Sequence, residues 1–184
     1  MIPSALGAGR RPTGAAEIEF AKTMRAGGWK LVVAESCTGG LISHRLTNLP
    51  GASEYLLAGL TTYANEAKEQ LLGVRAETLA QHGAVSRETA LEMARGARNL
   101  FSHRFPEERL LGLAVTGIAG PTGGSPEKPV GTVWIGLAGP QREGARLLRL
   151  KGTRRQIKEA SATAALLFAL DALGVRPGEP ARAT

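Results

Sequence analysis

The sequence is poor in the residues that build disulfides, zinc sites and aromatic cores. Its single cysteine, Cys37, excludes an intramolecular disulfide and a multi-cysteine metal site. The three histidines, His44, His82 and His103, lack the HxxxH or HExxH spacing of zinc sites. Aromatic residues make up only 4% of the chain, so we expect a core of Leu, Val, Ile and Ala. No cluster of carboxylates indicates another metal, and we expect no cofactor.

Segments that direct a chain to a membrane are also lacking. No apolar run reaches the length of a membrane span. Residues 1–14 contain Arg10 and Arg11 without the apolar stretch of a secretory signal. We therefore expect a cytoplasmic protein that does not bind membranes. The length of 184 residues, with 43% hydrophobic and 21% charged, fits one globular domain.

Positive charge is in excess, with a formal net charge of +7. Much of the excess lies between Arg142 and Lys158, where no zinc finger, RNP or KH pattern occurs. The segment also lacks the aromatic residues on which bases stack. We interpret it first as a solvated basic face and second as part of a pocket for a small phosphorylated ligand. Nucleic-acid binding is not expected.

Hydrophobic periodicity and capping residues divide the chain into an arm (1–14), one domain (15–174) and a flexible tail (175–184). Helices are predicted over residues 15–26 and 41–49, from an Asn65 N-cap to Gly73, from a Ser86 N-cap, and from a Thr153 N-cap to Leu173. Strands are predicted at 29–34, 55–64 and 110–116, followed by a hairpin of 132–138 and 145–150. Early crossovers require parallel pairing, whereas the late hairpin is antiparallel. The prediction is an α/β fold, a single-domain three-layer α/β/α sandwich with a mixed sheet.

Three segments that follow strands are rich in glycine and small polar residues. In the first, residues 34–40, Ser36 and Cys37 lie where a strand turns into a helix. Free backbone N–H groups at such a turn suit an oxyanion or a phosphate. The alternative is a plain turn in which Ser36 or Thr38 caps the helix.

The second segment, residues 61–68, places Tyr63 at the end of a strand and Lys68 in the first turn of a helix. A lysine there opposes the helix dipole. If Lys68 is partly buried, its ammonium form is disfavoured, as a general base requires. The alternative is an exposed surface lysine.

The third segment, residues 116–124, is followed by Lys128 and a second turn. Its glycines allow backbone amides to approach a ligand closely. The alternative is a plain flexible loop. It matches neither a Walker A loop nor GxGxxG, and Gly39 stands where an SxxK motif would place its lysine. From the residues alone, the site is a ligand site with a candidate hydroxyl nucleophile.

At these segments the sequence resembles the CinA C-terminal domain family, the nicotinamide mononucleotide amidohydrolases. The resemblance covers roughly residues 15–174. Its motifs are weak one by one but specific in this order, at residues 34–41, 51–53, 63–68, 71–74, 82–86, 116–121 and 128–133.

The resemblance implies hydrolysis of the carboxamide of nicotinamide mononucleotide to nicotinic acid mononucleotide and ammonia, in pyridine-nucleotide salvage. Ser36 would attack the carbonyl and Lys68 would take its proton, with Tyr63 and Thr116 completing the hydrogen-bond network. Cys37 is the rival nucleophile. His82 could act as a base, although a turn-forming role for His82 and Gly83 is favoured.

Further substrate contacts are assigned to Thr38, Gly39, Gly40, Asn65, Gly117 and Gly120. Arg154 matches the arginine of the family's Gly-x-Arg segment and is expected to bind phosphate. Lys158 replaces an arginine often found four residues later, which weakens a paired clamp because lysine cannot make bidentate contacts.

Family members commonly form dimers, so a homodimer is expected. Some members carry an N-terminal domain resembling molybdopterin-binding proteins; the short arm here indicates the stand-alone form. Two other functions stay open: a non-catalytic nucleotide-binding or regulatory module of the competence and damage-inducible type, and a nucleic-acid binder that uses the basic segment.

Overall fold

A computed structural model describes residues 14–140 and 142–174. The predicted tail and all of the predicted arm except Gly14 lie outside these ranges. The main elements are α1 (Ala15–Ala26), β1 (Lys30–Glu35), α2 (Leu41–Thr47), β2 (Leu56–Thr61), α3 (Asn65–Leu72), α4 (Ala76–His82), α5 (Arg87–Asn99), β3 (Leu110–Gly117), β4 (Thr132–Ala138), β5 (Glu143–Arg149) and α6 (Arg154–Ala172). Short 3-10 helices cover Ala52–Glu54 and Glu107–Arg109.

The five strands form one mixed sheet in the order β2-β1-β3-β4-β5. Strand β1 is parallel to both of its neighbours, with Val33 aligned with Gly59 on β2 and with Leu113 on β3. Strands β3, β4 and β5 are antiparallel. The predicted mixed sheet and late hairpin are confirmed.

Two helical layers cover the sheet, because successive side chains of a strand point to opposite faces. On β1, Leu31 and Val33 pack with α1, α2 and α6, whereas Val32 and Ala34 pack with α3 and α5. Half-buried Leu79 brings α4 to the second layer. The three-layer α/β/α sandwich is therefore confirmed, and its core is mainly aliphatic as predicted.

Helix α5 lies directly against the backbone of β3 and β4. A Cβ at Gly112 would lie 2.0 Å from the carbonyl oxygen of Ala94, and a Cβ at Gly136 would lie 2.0 Å from that of Ala90. Only glycine permits this approach at these two positions.

The predicted helix caps are confirmed at two of three positions. Ser86 Oγ accepts a hydrogen bond from the Thr89 amide at 3.1 Å. Thr153 forms a capping box with Gln156 at the start of α6. The Asn65 cap is wrong: the chain leaves its extended conformation at Ala64, so Asn65 is already the first residue of α3.

Within residues 14–140 and 142–174, helix α4 is the one main element that the sequence did not predict. Of its residues only Thr78 is buried, so it lacks an apolar stripe of helical period. Instead, Thr78 Oγ1 donates a hydrogen bond to the Glu92 carboxylate of α5 at 2.8 Å.

Candidate active site

The carboxyl ends of the parallel strands β1, β2 and β3 meet at one edge of the sheet. Helix α2 leaves this edge on one face, and α3 leaves it on the other. Such a switch in connection is where α/β sheets bind ligands. A cavity of about 270 Å³ opens here, lined by Ser36, Cys37, Tyr63, Lys68, Ala84, Val85, Thr116, Gly117, Ile118, Ala119, Gly120, Thr122, Gly123 and Arg154.

Most of the predicted site residues line this one cavity, although they lie far apart in the sequence. The residues brought together are Ser36, Tyr63, Lys68, Thr116, Gly117, Gly120 and Arg154. Four predicted substrate contacts are not among the lining residues: Thr38, Gly39, Gly40 and Asn65.

Three of those four form the turn behind the cavity wall. Thr38 is fully buried, and its hydroxyl has no hydrogen-bond partner within the described ranges. Gly39 and Gly40 have φ values of 61° and 87°, which glycine adopts readily as the chain enters α2. Asn65 is exposed in the first turn of α3.

Ser36 directly follows β1 and is held by backbone hydrogen bonds. Its amide donates to the carbonyl of Val115 at 2.9 Å, and its carbonyl accepts from the amide of Gly39 at 3.1 Å. The hydroxyl is therefore carried by a tight turn that is fixed to the neighbouring strand.

The amide groups at the start of α2 are occupied by Glu35. The amides of Ile42 and Ser43 donate to its carboxylate at 3.0 and 2.9 Å, and the Ser43 hydroxyl donates at 2.8 Å. The amides of Ile42 and Ser43 are therefore not free to bind an oxyanion or a phosphate. The cause is the nearest anion: the Glu35 side chain points to the α2 side of the sheet and binds the positive helix end.

Lys68 is buried beside the cavity and only 1% exposed. Its Nζ donates to the carbonyls of Thr62 and Tyr63 at 3.0 Å each, and to that of Ala64 at 3.4 Å. Burial lowers the pKa of Lys68, and the nearby Cys37 and Glu66 oppose that change. Lys68 is therefore not the exposed surface lysine of the alternative interpretation. At a given pH, a larger fraction of it is in the neutral amine form than for an exposed lysine.

Cys37 lines the cavity but is not an activated thiol. Burial raises its pKa to about 12, and the charge of Glu35 acts in the same direction. Arg154 and Lys158 lower it by less. Because the thiolate is the reactive form, Cys37 is a poor nucleophile at neutral pH.

Arg154 and Thr116 tie separate segments together around the cavity. Arg154 donates to the carbonyl of Gly120 at 2.7 Å and to the hydroxyl of Tyr63 at 3.0 Å. The Thr116 hydroxyl donates to the carbonyl of Ala84 at 2.7 Å. Arg154 thus joins α6 to the loops after β2 and β3.

Ala84 and Val85 line the cavity although sequence reasoning did not select them. They follow a turn in which His82 ends α4 and Gly83 has φ 75°. Lys128 donates to the carbonyl of His82 at 2.6 Å, which ties the loop after β3 to this turn. The His-Gly pair was the available signal, and its predicted turn-forming role is confirmed.

A second, larger hollow of about 650 Å³ lies elsewhere and contains none of the predicted site residues. It is lined by Leu71, Leu72, Gly73, Arg75, Glu92, Arg95, Gly96, Asn99 and Leu100. Its arginines are engaged: Arg75 pairs with Glu92, and Arg95 with Glu143. We therefore place the candidate active site at the smaller cavity.

Metal clusters and membrane spans were also sought in residues 14–140 and 142–174. These ranges contain no group of three or more His, Cys, Asp and Glu side chains able to hold a metal ion. None of their helices combines the length and apolar character that crossing a bilayer requires.

Comparison with known proteins identifies the family. The sequence model of the CinA C-terminal domain matches residues 14–173. The CinA-like protein of Geotalea daltonii is 51% identical over 150 residues, which cover 82% of this chain and 35% of that protein. The chain thus spans about a third of the length of the curated relatives it matches.

Solved structures agree with this assignment. A competence-damaged protein (CinA) superfamily protein from Klebsiella pneumoniae is 31% identical with a TM-score of 0.82, covering 89% of this chain and 99% of that one. The competence/damage inducible protein CihA from Agrobacterium tumefaciens is 38% identical with a TM-score of 0.76, covering 91% and 99%. The chain belongs to the CinA C-terminal domain family.

Proposed function

We propose that this protein hydrolyses the carboxamide of nicotinamide mononucleotide, giving nicotinic acid mononucleotide and ammonia. The observation that carries the proposal is the meeting of Ser36, Lys68 and Thr116 at one cavity, with the lysine buried. A hydroxyl that shares a cavity with a lysine of lowered pKa offers a nucleophile and a base, and a protein that only binds a nucleotide needs neither. We propose that the reaction takes place in the cytoplasm and needs no cofactor.

The reaction proceeds through an ester on Ser36. The amine of Lys68 accepts the proton of the Ser36 hydroxyl as Oγ attacks the amide carbon. The tetrahedral intermediate then expels ammonia, because the proton returns from Lys68 to the leaving nitrogen. Water attacks the ester carbonyl, again with Lys68 as base, and releases the carboxylic acid and the free serine.

Lys68 is held at the cavity by its backbone partners. Its three carbonyl partners fix Nζ at the carboxyl end of β2. Burial favours the amine, Cys37 and Glu66 favour the ammonium form, and the net effect is a lowered pKa. A neutral amine keeps two donors for these carbonyls and presents one lone pair to the Ser36 proton.

Thr116 and Tyr63 complete the polar lining. Because the Thr116 hydroxyl donates to Ala84, its oxygen is left to accept a hydrogen bond from the reacting groups. Tyr63 is 59% exposed and bonded to Arg154, which places it at the mouth of the cavity. We assign to it the orientation of the ribose phosphate rather than a part in the chemistry.

Arg154 is the proposed phosphate ligand. It is the first residue of α6, so its guanidinium lies at the positive end of a helix that begins with Thr153 as N-cap. Two of its N–H groups are used by Gly120 and Tyr63, and the others can donate to an anion. Lys158 adds positive charge beside the turn between β1 and α2. Its Nζ lies 3.5 Å from the position that a Cβ atom would take at Gly39.

Ammonia release from nicotinamide mononucleotide tests the proposal, in metal-free buffer and with the Ser36→Ala variant beside the wild type. The expected result is turnover by the wild type and a loss of about a thousandfold or more in the variant. Turnover that survives in Ser36→Ala would reject Ser36 as nucleophile. Binding of the nucleotide without ammonia release would instead establish a non-catalytic nucleotide-binding module.

A further inference from the structure

The Glu35 carboxylate is a fully buried charge next to the proposed nucleophile, and the mechanism above does not use it. It is the last residue of β1. Both of its oxygens are occupied: one accepts from the Ile42 amide, and the other accepts from the amide and hydroxyl of Ser43. These bonds span seven and eight residues, so the side chain closes a loop that contains residues 36–41.

The backbone of Glu35 is fixed as firmly as its side chain. Its carbonyl accepts from the amide of Thr62 at 2.9 Å, and the next amide, that of Ser36, donates to Val115 at 2.9 Å. One residue therefore links β2, β3 and the start of α2, and Ser36 follows it directly.

The carboxylate also neutralises the positive end of α2. Helix termini leave several amides without partners, and an anion is the strongest acceptor for them. Because Glu35 fills this role, the first turn of α2 is held to the end of β1 by charge-assisted hydrogen bonds.

We propose that Glu35 is a positioning residue that fixes the Ser36 hydroxyl for attack, an inference that rests on the proposed function. It contacts neither the cavity nor the substrate, and it acts by closing the loop between β1 and α2. Its loss is expected to lower kcat rather than weaken substrate binding, because the substrate contacts lie on other segments.

Glu35→Gln tests this with little change in volume. The amide has one acceptor oxygen, so either Ile42 or Ser43 loses its bond and faces an N–H group instead. We expect kcat for nicotinamide mononucleotide to fall about 100-fold, as a small misplacement of a reacting group does, with KM unchanged within about twofold. Amide hydrogen exchange over residues 37–41 should become faster.

Glu17→Gln is the matched control. Glu17 is likewise a buried carboxylate, but it pairs with Arg45 between α1 and α2, away from the cavity. The Glu17→Gln variant should have a lower midpoint of thermal unfolding than the wild type. Its kcat and its amide hydrogen exchange over residues 37–41 should be those of the wild type. An equal loss of kcat in both variants would overturn the positioning role, because it would reveal general destabilisation.

Full kcat in a folded Glu35→Gln variant would also overturn it. If that variant does not fold, Ser43→Ala removes one of the three bonds, and kcat should fall roughly tenfold at constant KM; an unchanged kcat would contradict the proposal. If the wild type releases no ammonia, the proposed function fails separately. Amide hydrogen exchange over residues 37–41 then tests the role of Glu35 by itself. Faster exchange in Glu35→Gln supports the proposal that Glu35 closes the loop between β1 and α2, and unchanged exchange rejects it.

Discussion

At the scale of single residues, Ser36 and Cys37 are two buried neighbours that differ in chemistry. Both line the cavity, but the Cys37 thiol has a pKa raised by burial to about 12. A serine needs a base to become a nucleophile, and Lys68 lies at the same cavity. The proposed mechanism therefore uses the Ser36 hydroxyl rather than the Cys37 thiol.

Cys37→Ala should keep ammonia release within about twofold of the wild type. Its cost should be one of stability, about 1 kcal/mol in the free energy of unfolding, because a small buried side chain is lost. Steady-state kinetics and urea unfolding measure the two effects. Loss of turnover in a folded Cys37→Ala protein would point to the thiol as nucleophile.

Lys68 determines how the rate should depend on pH. A general base acts when unprotonated, so kcat rises as pH increases through the pKa of the lysine. Since burial lowers that pKa, the midpoint of the rise should lie below the ordinary 10.5. Measuring kcat from about pH 6 to about pH 10 checks this.

Lys68→Arg is the control for that profile, because a guanidinium stays protonated throughout the range. It should remove the pH-dependent rise together with most of the activity. A pH-dependent rise that persists in Lys68→Arg would assign the titration to another group.

At the scale of secondary-structure elements, local patterns predicted most of the fold. The apolar run that became β1 and the caps at Ser86 and Thr153 were visible because strand composition and N-cap chemistry are local. Helix α4 was missed because polar contacts hold it to α5. The Glu35 contact with the start of α2 was missed because the cap comes from the preceding strand. Its spacing of seven residues does not match the capping-box pattern by which a cap is recognised in a sequence.

Gly136→Ala tests how closely α5 packs on the sheet. The added methyl group would lie 2.0 Å from the Ala90 carbonyl oxygen. The helix must move, and the free energy of unfolding should fall by about 3 kcal/mol. Gly144→Ala, on the adjacent strand β5 and with nothing within 4 Å of the new Cβ, should change it by less than about 0.5 kcal/mol. Equal effects in urea unfolding would contradict the packing argument.

At the scale of the whole molecule, the site is assembled from segments separated by many residues. The residues alone left Lys68 open between a base and a surface lysine, because its burial depends on how β2, α3 and the cavity meet. The resemblance to the family selected the pairing with Ser36. The homodimer and the absence of nucleic-acid binding stay predictions.

Arg154 should distinguish a phosphorylated substrate from its nucleoside. Arg154→Ala is expected to raise KM for nicotinamide mononucleotide about tenfold or more, because a charge-assisted contact to phosphate is lost. The KM for nicotinamide riboside, which has no phosphate, should change much less. Arg155→Ala is the control, since Arg155 is the next residue, is exposed and does not line the cavity. Equal effects on both substrates would show that Arg154 only supports the fold.

In the proposed reaction, the Ser36 hydroxyl takes the acyl group. The most direct measurement is fragmentation mass spectrometry of protein quenched in acid during turnover of nicotinamide mononucleotide. We expect a nicotinate mononucleotide ester on Ser36 that is absent from the Ser36→Ala variant. An adduct on Cys37, or sustained ammonia release with no adduct on the chain, would contradict it.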